Sequence, residues 1–459
     1  MKSGYAVPTL FALFCCLPHA HGHEMPDNAV PLQKSEECAT CHPIIYQEWK
    51  NSYHALSSIH KDNAHKAVYE SFITDMKALG KKGNYHCGNC HAPMADNLKE
   101  LMSGDALPDS GNWTESEGVG CTFCHRIEAV VEKENFNRYR LNGDGAYNSD
   151  LSSFGKAPHA TRFSMSFLDG QMCMGCHSHN INGKGAKLCV MEEEGESNCL
   201  LCHMPRVAGA PASDSASTMH RSHVMAGGHD IDMLRKAVSL KARIDTAEDG
   251  KSLVIEVTNK ITHSFPSTSP IRMAFVKVSG KNQAGELVWQ NFTESPLEDK
   301  QALFFKALKA GDKVGAAPWA AEDVAFDLRL KAGETRTISY PITSDEITEI
   351  NISLVYLLFP PAAIQGFGIP EDGVNDKPYP VAQKTVNVSS DGGSTPGGSS
   401  CWKQKSKQIA LFPDAEGQGS GIPNDGMNDM LHSVLQDSVK INTITLNINY
   451  SVRSTDCTE

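Results

Sequence analysis

The sequence predicts a multidomain α+β protein: a loop-rich domain with short helices, then a β-sandwich domain, then a small tail. Three observations predict this order. The pattern Cys-x-x-Cys-His occurs five times in the first half, short β-rich runs begin after Leu234, and a Gly/Ser-rich linker covers 389–400. We therefore place the two main domains at 23–235 and 236–388, and a tail to which no role can be assigned at 401–459.

The repeated pattern is the attachment sequence of haem c. Two thiols three residues apart can each bond one porphyrin vinyl group, and the histidine that follows can bind the iron from the proximal side. Zinc ribbons also contain Cys-x-x-Cys pairs, but they do not require this histidine. We therefore predict five covalently attached haem c groups. The attachment residues are Cys38, Cys41, Cys87, Cys90, Cys121, Cys124, Cys173, Cys176, Cys199 and Cys202, and the proximal ligands are His42, His91, His125, His177 and His203.

The five motifs divide the first domain, a predicted pentahaem cytochrome c domain, into short segments. Such segments bury little protein core, so the porphyrins must supply much of the apolar interior. Helices are predicted over Pro43–Lys50 and His65–Leu79, and Tyr46 and Trp49 lie at helical spacing.

The second domain is predicted to consist of six or seven short strands, a number that is typical of a β-sandwich. Each predicted strand is an apolar or alternating run, and Gly-containing turn signals separate the runs. The runs cover residues 252–259, 274–279, 286–292, 324–330, 335–340 and 350–358.

The N-terminus has the pattern of an export signal. Lys2 precedes the apolar stretch Tyr5–Leu17, and small residues follow at Ala20–Gly22, which predicts a signal peptide over 1–22. We therefore expect a periplasmic or extracellular protein. No later stretch is long enough to span a bilayer, so the mature chain should have no transmembrane segment.

Charge and the remaining cysteines bear on partners and cross-links. The formal charge of −12 disfavours a nucleic-acid partner and suits a protein partner with a basic docking face. An oxidising compartment would allow Cys401 and Cys457 to form a disulfide that closes the tail. Cys189 is expected to be a buried small apolar side chain.

Residues around the motifs resemble a known group of proteins. The segment from Cys38 to His54 resembles the opening of multihaem cytochromes c related to the tetrahaem electron carrier of ammonia oxidisers, whose superfamily includes the hydroxylamine oxidoreductases. The segments 90–93, 117–125 and 202–205 are similar in character. The run 257–266 resembles an appended β domain whose His-x-Phe-Pro segment reaches a haem. Together these resemblances cover roughly residues 36–360.

The sixth ligand of each iron decides whether a haem transfers electrons or binds a substrate. The resemblance implies distal roles for His54, for His159 before the fourth motif, and for His263, which would dock the β domain onto a haem. His223 and His229 flank glycines that would let the chain approach a porphyrin closely. These five histidines would close all five irons.

Three functions are compatible with the sequence. Closed irons predict an exported electron carrier that passes electrons between redox partner proteins, such as other cytochromes or quinol-linked proteins. One open haem would instead give an oxidoreductase of a small nitrogen or sulfur compound, similar to nitrite or hydroxylamine enzymes. A third hypothesis is a homo-oligomer, a subunit of an extracellular cytochrome filament that exchanges ligands between chains. Without an open haem, no residue is predicted to be catalytic.

Overall fold

The structure is a computed structural model that describes residues 23–133, 135–151, 157–191, 198–248, 250–388, 402–410 and 445–453. The predicted signal peptide, the Gly/Ser linker and the two cysteines of the predicted tail disulfide lie outside the described residues. Among the described residues, no helix is long and apolar enough to cross a membrane.

Short helices and irregular segments form the first region, as the motif spacing predicts. Its helices within the described residues are α1 (Pro43–Lys50), α2 (Asn63–Ala78), α3 (Gly88–His91), α4 (Leu98–Ser103), α5 (Trp113–Ser116), α6 (Cys121–His125), α7 (Ser166–Asp169), α8 (Met174–His177), α9 (Cys199–His203) and α10 (Ile231–Ala237). Helix α1 has the predicted bounds and begins with Pro43, which suits a first helical position. Helix α2 starts two residues before the predicted start, because Asp62 caps the backbone N–H groups of Ala64 and His65.

Small two-stranded sheets join these helices. The strands are β1 (Ile127–Val131), β2 (Arg138–Leu141), β3 (Tyr147–Ser149), β4 (Thr161–Phe163), β5 (Asn180–Ile181), β6 (Lys187–Cys189), β7 (Arg206–Ala208) and β8 (Met219–Arg221). They pair β1 with β2, β3 with β4, β5 with β6, and β7 with β8. Each pair therefore fixes a loop between motifs without building a large sheet.

The second region contains two larger sheets. Its elements are β9 (Val238–Ala247), β10 (Gly250–Asn259), β11 (Met273–Lys281), β12 (Leu287–Gln290), β13 (Leu303–Ala310), β14 (Lys313–Val314), β15 (Asp323–Asp327), β16 (Thr335–Ile342), β17 (Glu349–Leu357), α11 (Pro361–Phe367) and β18 (Tyr379–Asn387). One sheet has the order β16-β10-β9. The other has the order β14-β13-β11-β17-β18, with β12 added to β11 and β15 added to β13.

The apolar faces of the two sheets share one core. Leu253, Ile255 and Val257 of β10 lie in the same buried cluster as Val276 of β11 and Ile352 of β17. These residues alternate along their strands, which sends every second side chain inward. The predicted sandwich-like region is therefore present, and the α+β class is confirmed.

The six predicted runs correspond to β10, β11, β12, β15, β16 and β17. Strands β9, β13, β14 and β18 were not predicted. Strand β13 reads Leu-Phe-Phe-Lys-Ala-Leu-Lys-Ala, in which leucine, lysine and alanine favour a helix. Its pairing with β11, β14 and β15 overrides that local preference.

The first and second regions pack against one another. Ala64 and Ala67 of α2 belong to the buried cluster of the two sheets. The side chain of Asn182 donates to the backbone carbonyls of Pro318 and Ala321 at 2.8 and 2.7 Å. The β region is therefore docked onto the first region through both apolar and polar contacts.

The tail is a separate unit of the chain. Its described residues form strands β19 (Trp402–Ala410) and β20 (Thr445–Arg453), which pair antiparallel.

Candidate haem sites

The Cys-x-x-Cys-His motifs lie on single helical turns or, for the first motif, on the 3-10 helix Ser35–Thr40 and the two residues that precede α1. Residues three and four positions apart face the same side of a helix, so one turn presents both thiols and the imidazole together. In the second motif, the N–H groups of Cys90 and His91 donate to the carbonyl of Cys87 at 3.1 and 3.0 Å. None of the described cysteines, which are the ten motif cysteines and Cys189, forms a disulfide. The thiols of the motifs are therefore available for porphyrin attachment.

Backbone carbonyls orient four of the five proximal imidazoles. Nδ1 of His42 donates to the carbonyl of Pro211 at 2.6 Å, and Nδ1 of His91 donates to that of Ser57 at 3.2 Å. Nδ1 of His125 donates to the carbonyl of Asn148 at 2.7 Å, and Nδ1 of His203 donates to that of Ala226 at 2.6 Å. A carbonyl can only accept, so Nδ1 carries the proton in each ring. The Nε2 lone pair then remains for a metal, as is usual for histidine ligands.

Four proximal imidazoles each face a second imidazole across a gap of similar size. The ring centroids are 6.3 Å apart for His42 and His159, 6.0 Å for His54 and His177, 6.2 Å for His125 and His223, and 6.5 Å for His203 and His263. A metal–imidazole bond of about 2.0–2.1 Å on each side, plus about 1 Å from nitrogen to centroid in each ring, gives roughly 6 Å. The four gaps therefore fit one iron each. Four of the five predicted distal histidines lie in these pairs.

No bare metal ion is needed to explain these pairs. Within the described ranges, no three His, Cys, Asp or Glu side chains gather into a group that could hold a metal ion directly. The motif thiols and the paired imidazoles would hold a haem, whose porphyrin would supply the other ligands of the iron. The donor set of two thiols and two imidazoles at each of these four sites therefore fits haem c.

Burial keeps two of these second imidazoles, those of His54 and His223, neutral. Desolvation lowers the pKa of His54 to about 3 and that of His223 to about 4. A neutral imidazole has a free lone pair, whereas a protonated one cannot bind iron. Both histidines are therefore in the form that ligation requires.

The fifth proximal histidine, His91, has a different neighbour. The ring of His65 lies beside it with centroids only 4.1 Å apart, and Nδ1 of both rings contacts the carbonyl of Ser57. This gap is too short for an iron between the rings. Nε2 of His65 is buried without a hydrogen-bond partner. No feature of the sequence pairs His65 with a motif, since His65 lies 26 positions before His91, in the first turn of α2.

His229, the fifth predicted distal ligand, lies in none of these pairs. Its ring stacks on Tyr53 with centroids 3.4 Å apart and planes 22° apart. The ring of His229 thus contacts Tyr53, and the ring of His91 contacts His65. A distal role for the glycine-flanked His229 stays a prediction, whereas His223 at the other end of the same glycines faces His125.

Other histidines are held by protein groups. His220 is buried and contacts the carboxylate of Glu48 at 3.1 Å, and Glu48 also accepts from the backbone N–H of His223. His60 contacts the buried carboxylate of Glu115 at 3.2 Å. These contacts fix the surroundings of the imidazole pairs.

Thiols of different motifs are neighbours. Cys38 lies beside Cys121, Cys90 beside Cys176, and Cys173 beside Cys199. Cys176 also lies near Cys124. The first motif is thus next to the third, and the fourth is next to the second, third and fifth. All five attachment sites form one connected array with the fourth motif at its centre.

Comparisons with known proteins bear on the fold and on the class of protein. Residues 37–126 match the family model described as cytochrome c554 and c-prime. A solved structure, the penta-heme cytochrome c552 from Thermochromatium tepidum, is similar with a TM-score of 0.63 and 22% identity, over 78% of this chain and 99% of that one. No curated protein matches this chain.

The findings support a multihaem c-type cytochrome. The family match covers the first three motifs, and the structural likeness shows that the fold of the larger part of the chain is that of a multihaem cytochrome. Covalently bound haem c and a role in electron transfer follow from the same findings.

Proposed function

We propose that the chain is an exported electron carrier with five haem c groups. The observation that supports this most is the set of four imidazole pairs spaced for iron, each joining a motif histidine to a distant one. When bound, haem supplies reversible one-electron transfer without a change in its ligands. An iron held on both sides by imidazole presents no position to a small substrate.

The residues of this chain have three tasks in that function. Backbone carbonyls hold the Nδ1 protons of the proximal rings, which fixes the ring planes. Buried surroundings keep His54 and His223 neutral and exclude water. The fold brings the motif cysteines of neighbouring sites close together, and the fourth motif lies beside three others.

The partners that we propose are redox proteins with a basic docking face, such as other cytochromes or quinol-linked proteins. The support is the formal charge of −12, to which haem propionates would add. Complementary charge speeds the encounter of redox proteins and makes it depend on salt. We propose export to the periplasm or cell surface because residues 1–22 have the pattern of a signal peptide. The chain could also form a homo-oligomer.

Mass spectrometry and electron paramagnetic resonance test this proposal together. The denatured protein should retain five haems after acid-acetone extraction, and at least four of its oxidised irons should be low-spin. Retention of fewer than five haems would mean that at least one Cys-x-x-Cys-His motif does not attach a haem. Two or more high-spin irons would show that the imidazole pairs do not close their irons.

A second candidate is a reductase of a small nitrogen or sulfur compound at the haem of the second motif. The observation in its favour is the 4.1 Å separation of His65 and His91, which leaves this haem without a pair of the usual spacing. An open iron there would bind carbon monoxide when reduced. Turnover of nitrite or hydroxylamine with an artificial donor, together with one high-spin iron, would favour the reductase over the carrier. A fully low-spin protein without turnover would exclude it.

The filament hypothesis receives less support. Its ligands would be exchanged between chains, but His159 and His263 each lie beside a proximal histidine of their own chain. Exchange would have to break contacts that one chain already makes. Size-exclusion chromatography with light scattering distinguishes a monomer from a filament directly.

A further inference from the structure

The tail repeats the sequence of the last hairpin of the β region. Residues 411–429 are identical to residues 358–376 at 13 of 19 positions, without a gap. Both segments begin with Leu-Phe-Pro and end with the pattern Gly-Ile-Pro-x-Asp-Gly-x-Asn-Asp. A match of this length at one constant spacing of 53 positions indicates an internal repeat.

The strands that precede the two segments correspond as well. Strand β17 leads into the first segment and β19 into the second, and the same spacing of 53 positions aligns their first and last residues. Strand β17 pairs antiparallel with β18, which follows the first segment, and β19 pairs antiparallel with β20, which follows the second. The tail is therefore a second copy of the hairpin that β17 and β18 form.

The two copies differ in one face of their first strand. In β17 this face lies in the buried cluster between the sheets and consists of Ile350, Ile352 and Leu354. The corresponding positions of β19 are Lys403, Lys405 and Lys407. A row of ammonium groups could not enter such an apolar core, because an unpaired charge is very costly to remove from water. The second copy thus keeps the hairpin but lacks the apolar face with which the first copy joins the core.

The lysine positions share a face of the tail hairpin with apolar positions of β20. Alternate residues of a strand lie on one face of a sheet, and directly paired residues of antiparallel strands lie on the same face. Lys403, Lys405 and Lys407 pair in register with Val452, Tyr450 and Ile448. One face of the hairpin therefore combines a row of lysines with a row of apolar residues.

This face calls for a partner that is both anionic and apolar. The two strands contain four basic residues and no acidic one, in a chain whose formal charge is −12. A two-stranded hairpin by itself is at best marginally stable in water, so covering the apolar row stabilises it. A surface with negative charge above an apolar layer meets both requirements.

An anionic membrane fits these requirements better than an acidic protein does. Lysine is depleted in protein–protein interfaces, where arginine and aromatic anchors are enriched. At a membrane surface, anionic headgroups attract lysines, and apolar side chains beside them enter the boundary between headgroups and acyl chains. We infer that the β19–β20 hairpin binds the surface of membranes that contain anionic lipid. The inference goes beyond electron transfer and does not rest on the ligands of any haem.

Sedimentation with lipid vesicles tests this inference. The mature holoprotein is mixed with vesicles of phosphatidylcholine, with and without phosphatidylglycerol. Wild-type protein should bind only the vesicles that contain phosphatidylglycerol, and high salt should release it because salt screens the charges. The triple variant Lys403→Gln, Lys405→Gln, Lys407→Gln should bind at least about tenfold more weakly.

A second triple variant provides the matched control. Lys241→Gln, Lys277→Gln and Lys384→Gln together remove the same charge from exposed lysines of β9, β11 and β18. This protein should bind the anionic vesicles as wild type does. Haem content and visible spectrum should be equal in all three proteins. If the tail variant fails to fold, Lys405→Gln alone replaces it and should weaken binding severalfold.

Three results would overturn the inference. These are no binding of wild type to the anionic vesicles, equal binding to both kinds of vesicle, and equal binding by the tail variant and the control. Self-association of wild type without lipid, measured by light scattering and lost in the tail variant, would assign the lysine face to an acidic protein surface if vesicle binding is also absent. Vesicle binding by a protein with several high-spin irons would retain the membrane contact and count against the electron carrier alone.

Discussion

The haem region and the β region reach a buried interior by different means. In the β region, twenty-seven buried residues, four of them from α2 and α10, form one continuous apolar cluster around two sheets. In the haem region the buried apolar residues fall into smaller clusters, and motif residues such as Phe123 and Leu200 are among their members. The first region therefore needs a further apolar body between its clusters, whereas the second is complete as a protein core.

The same difference decides what the sequence could predict. Alternating apolar residues report a buried strand face directly, so six strands of the β region were placed from residues such as Leu253, Ile255 and Val257. Strand β9, with Val238, Leu240 and Ala242, carries the same alternation and could have been found. Strand β13 could not, because its leucine, lysine and alanine favour a helix until its neighbours pair with it.

In the haem region, local spacing predicts attachment but not pairing. Cysteines and proximal histidines lie on one turn, so five contiguous residues contain the whole site. A distal histidine is brought by the tertiary fold, as His159 is to His42 across 117 positions of sequence. Neither the closeness of His65 to His91 nor the stacking of His229 on Tyr53 has any signal in the sequence.

The largest effect should come from removing the central attachment site. Cys173→Ala with Cys176→Ala should lose one haem and unfold much of the haem region, because the fourth motif neighbours three others, while the two sheets persist. Limited proteolysis should then yield a stable fragment that begins near α10. Cys189→Ala is the matched control and should keep all haems. A doubly substituted protein that resists proteolysis throughout would refute the idea that porphyrins form the core.

A cavity in the β region should destabilise without changing the haems. Ile255 is fully buried between the sheets, and Ile255→Ala should lower the free energy of unfolding by about 2–5 kcal/mol. Urea unfolding of the holoprotein measures this change, and the visible spectrum should stay that of the wild type. A lower haem absorbance in the folded variant would mean that haem binding depends on the packing of the β core.

Acid should weaken the haem region through His23. Its Nε2 donates to the carbonyl of Asn89 at 2.7 Å, and its Nδ1 accepts from the N–H of Tyr139 at 3.2 Å, which ties the second motif to the β1–β2 hairpin. Burial lowers the pKa of His23 to about 4 from 6.5. The unfolded chain binds the proton more tightly, so stability present above pH 6.5 is lost as the pH falls towards 4, by up to about 3 kcal/mol.

His23→Gln separates this titration from the contacts. A glutamine amide can donate to one partner and accept from the other, but it does not titrate in this range. The variant should therefore show a flatter dependence of unfolding free energy on pH between 4 and 6.5, whereas His23→Ala should be less stable than wild type near neutral pH as well. Parallel pH curves for His23→Gln and wild type would exclude the proposed role.

The smallest effect should come from the one pair that joins the two regions. His263 leaves the β region to face His203 at 6.5 Å with planes 21° apart, and it is the β region's contribution to the imidazole pairs. His263→Met should keep this iron six-coordinate but raise its reduction potential, since methionine favours the reduced iron relative to histidine. His263→Ala should instead turn one iron high-spin. In both variants haem content should equal that of wild type, and the unfolding of the two sheets should hardly change. Redox titration followed by paramagnetic resonance measures both results. An unchanged potential and spin state in both variants would mean that His263 does not reach the iron. The contacts of α2 and Asn182 would then be what joins the β region to the haem region.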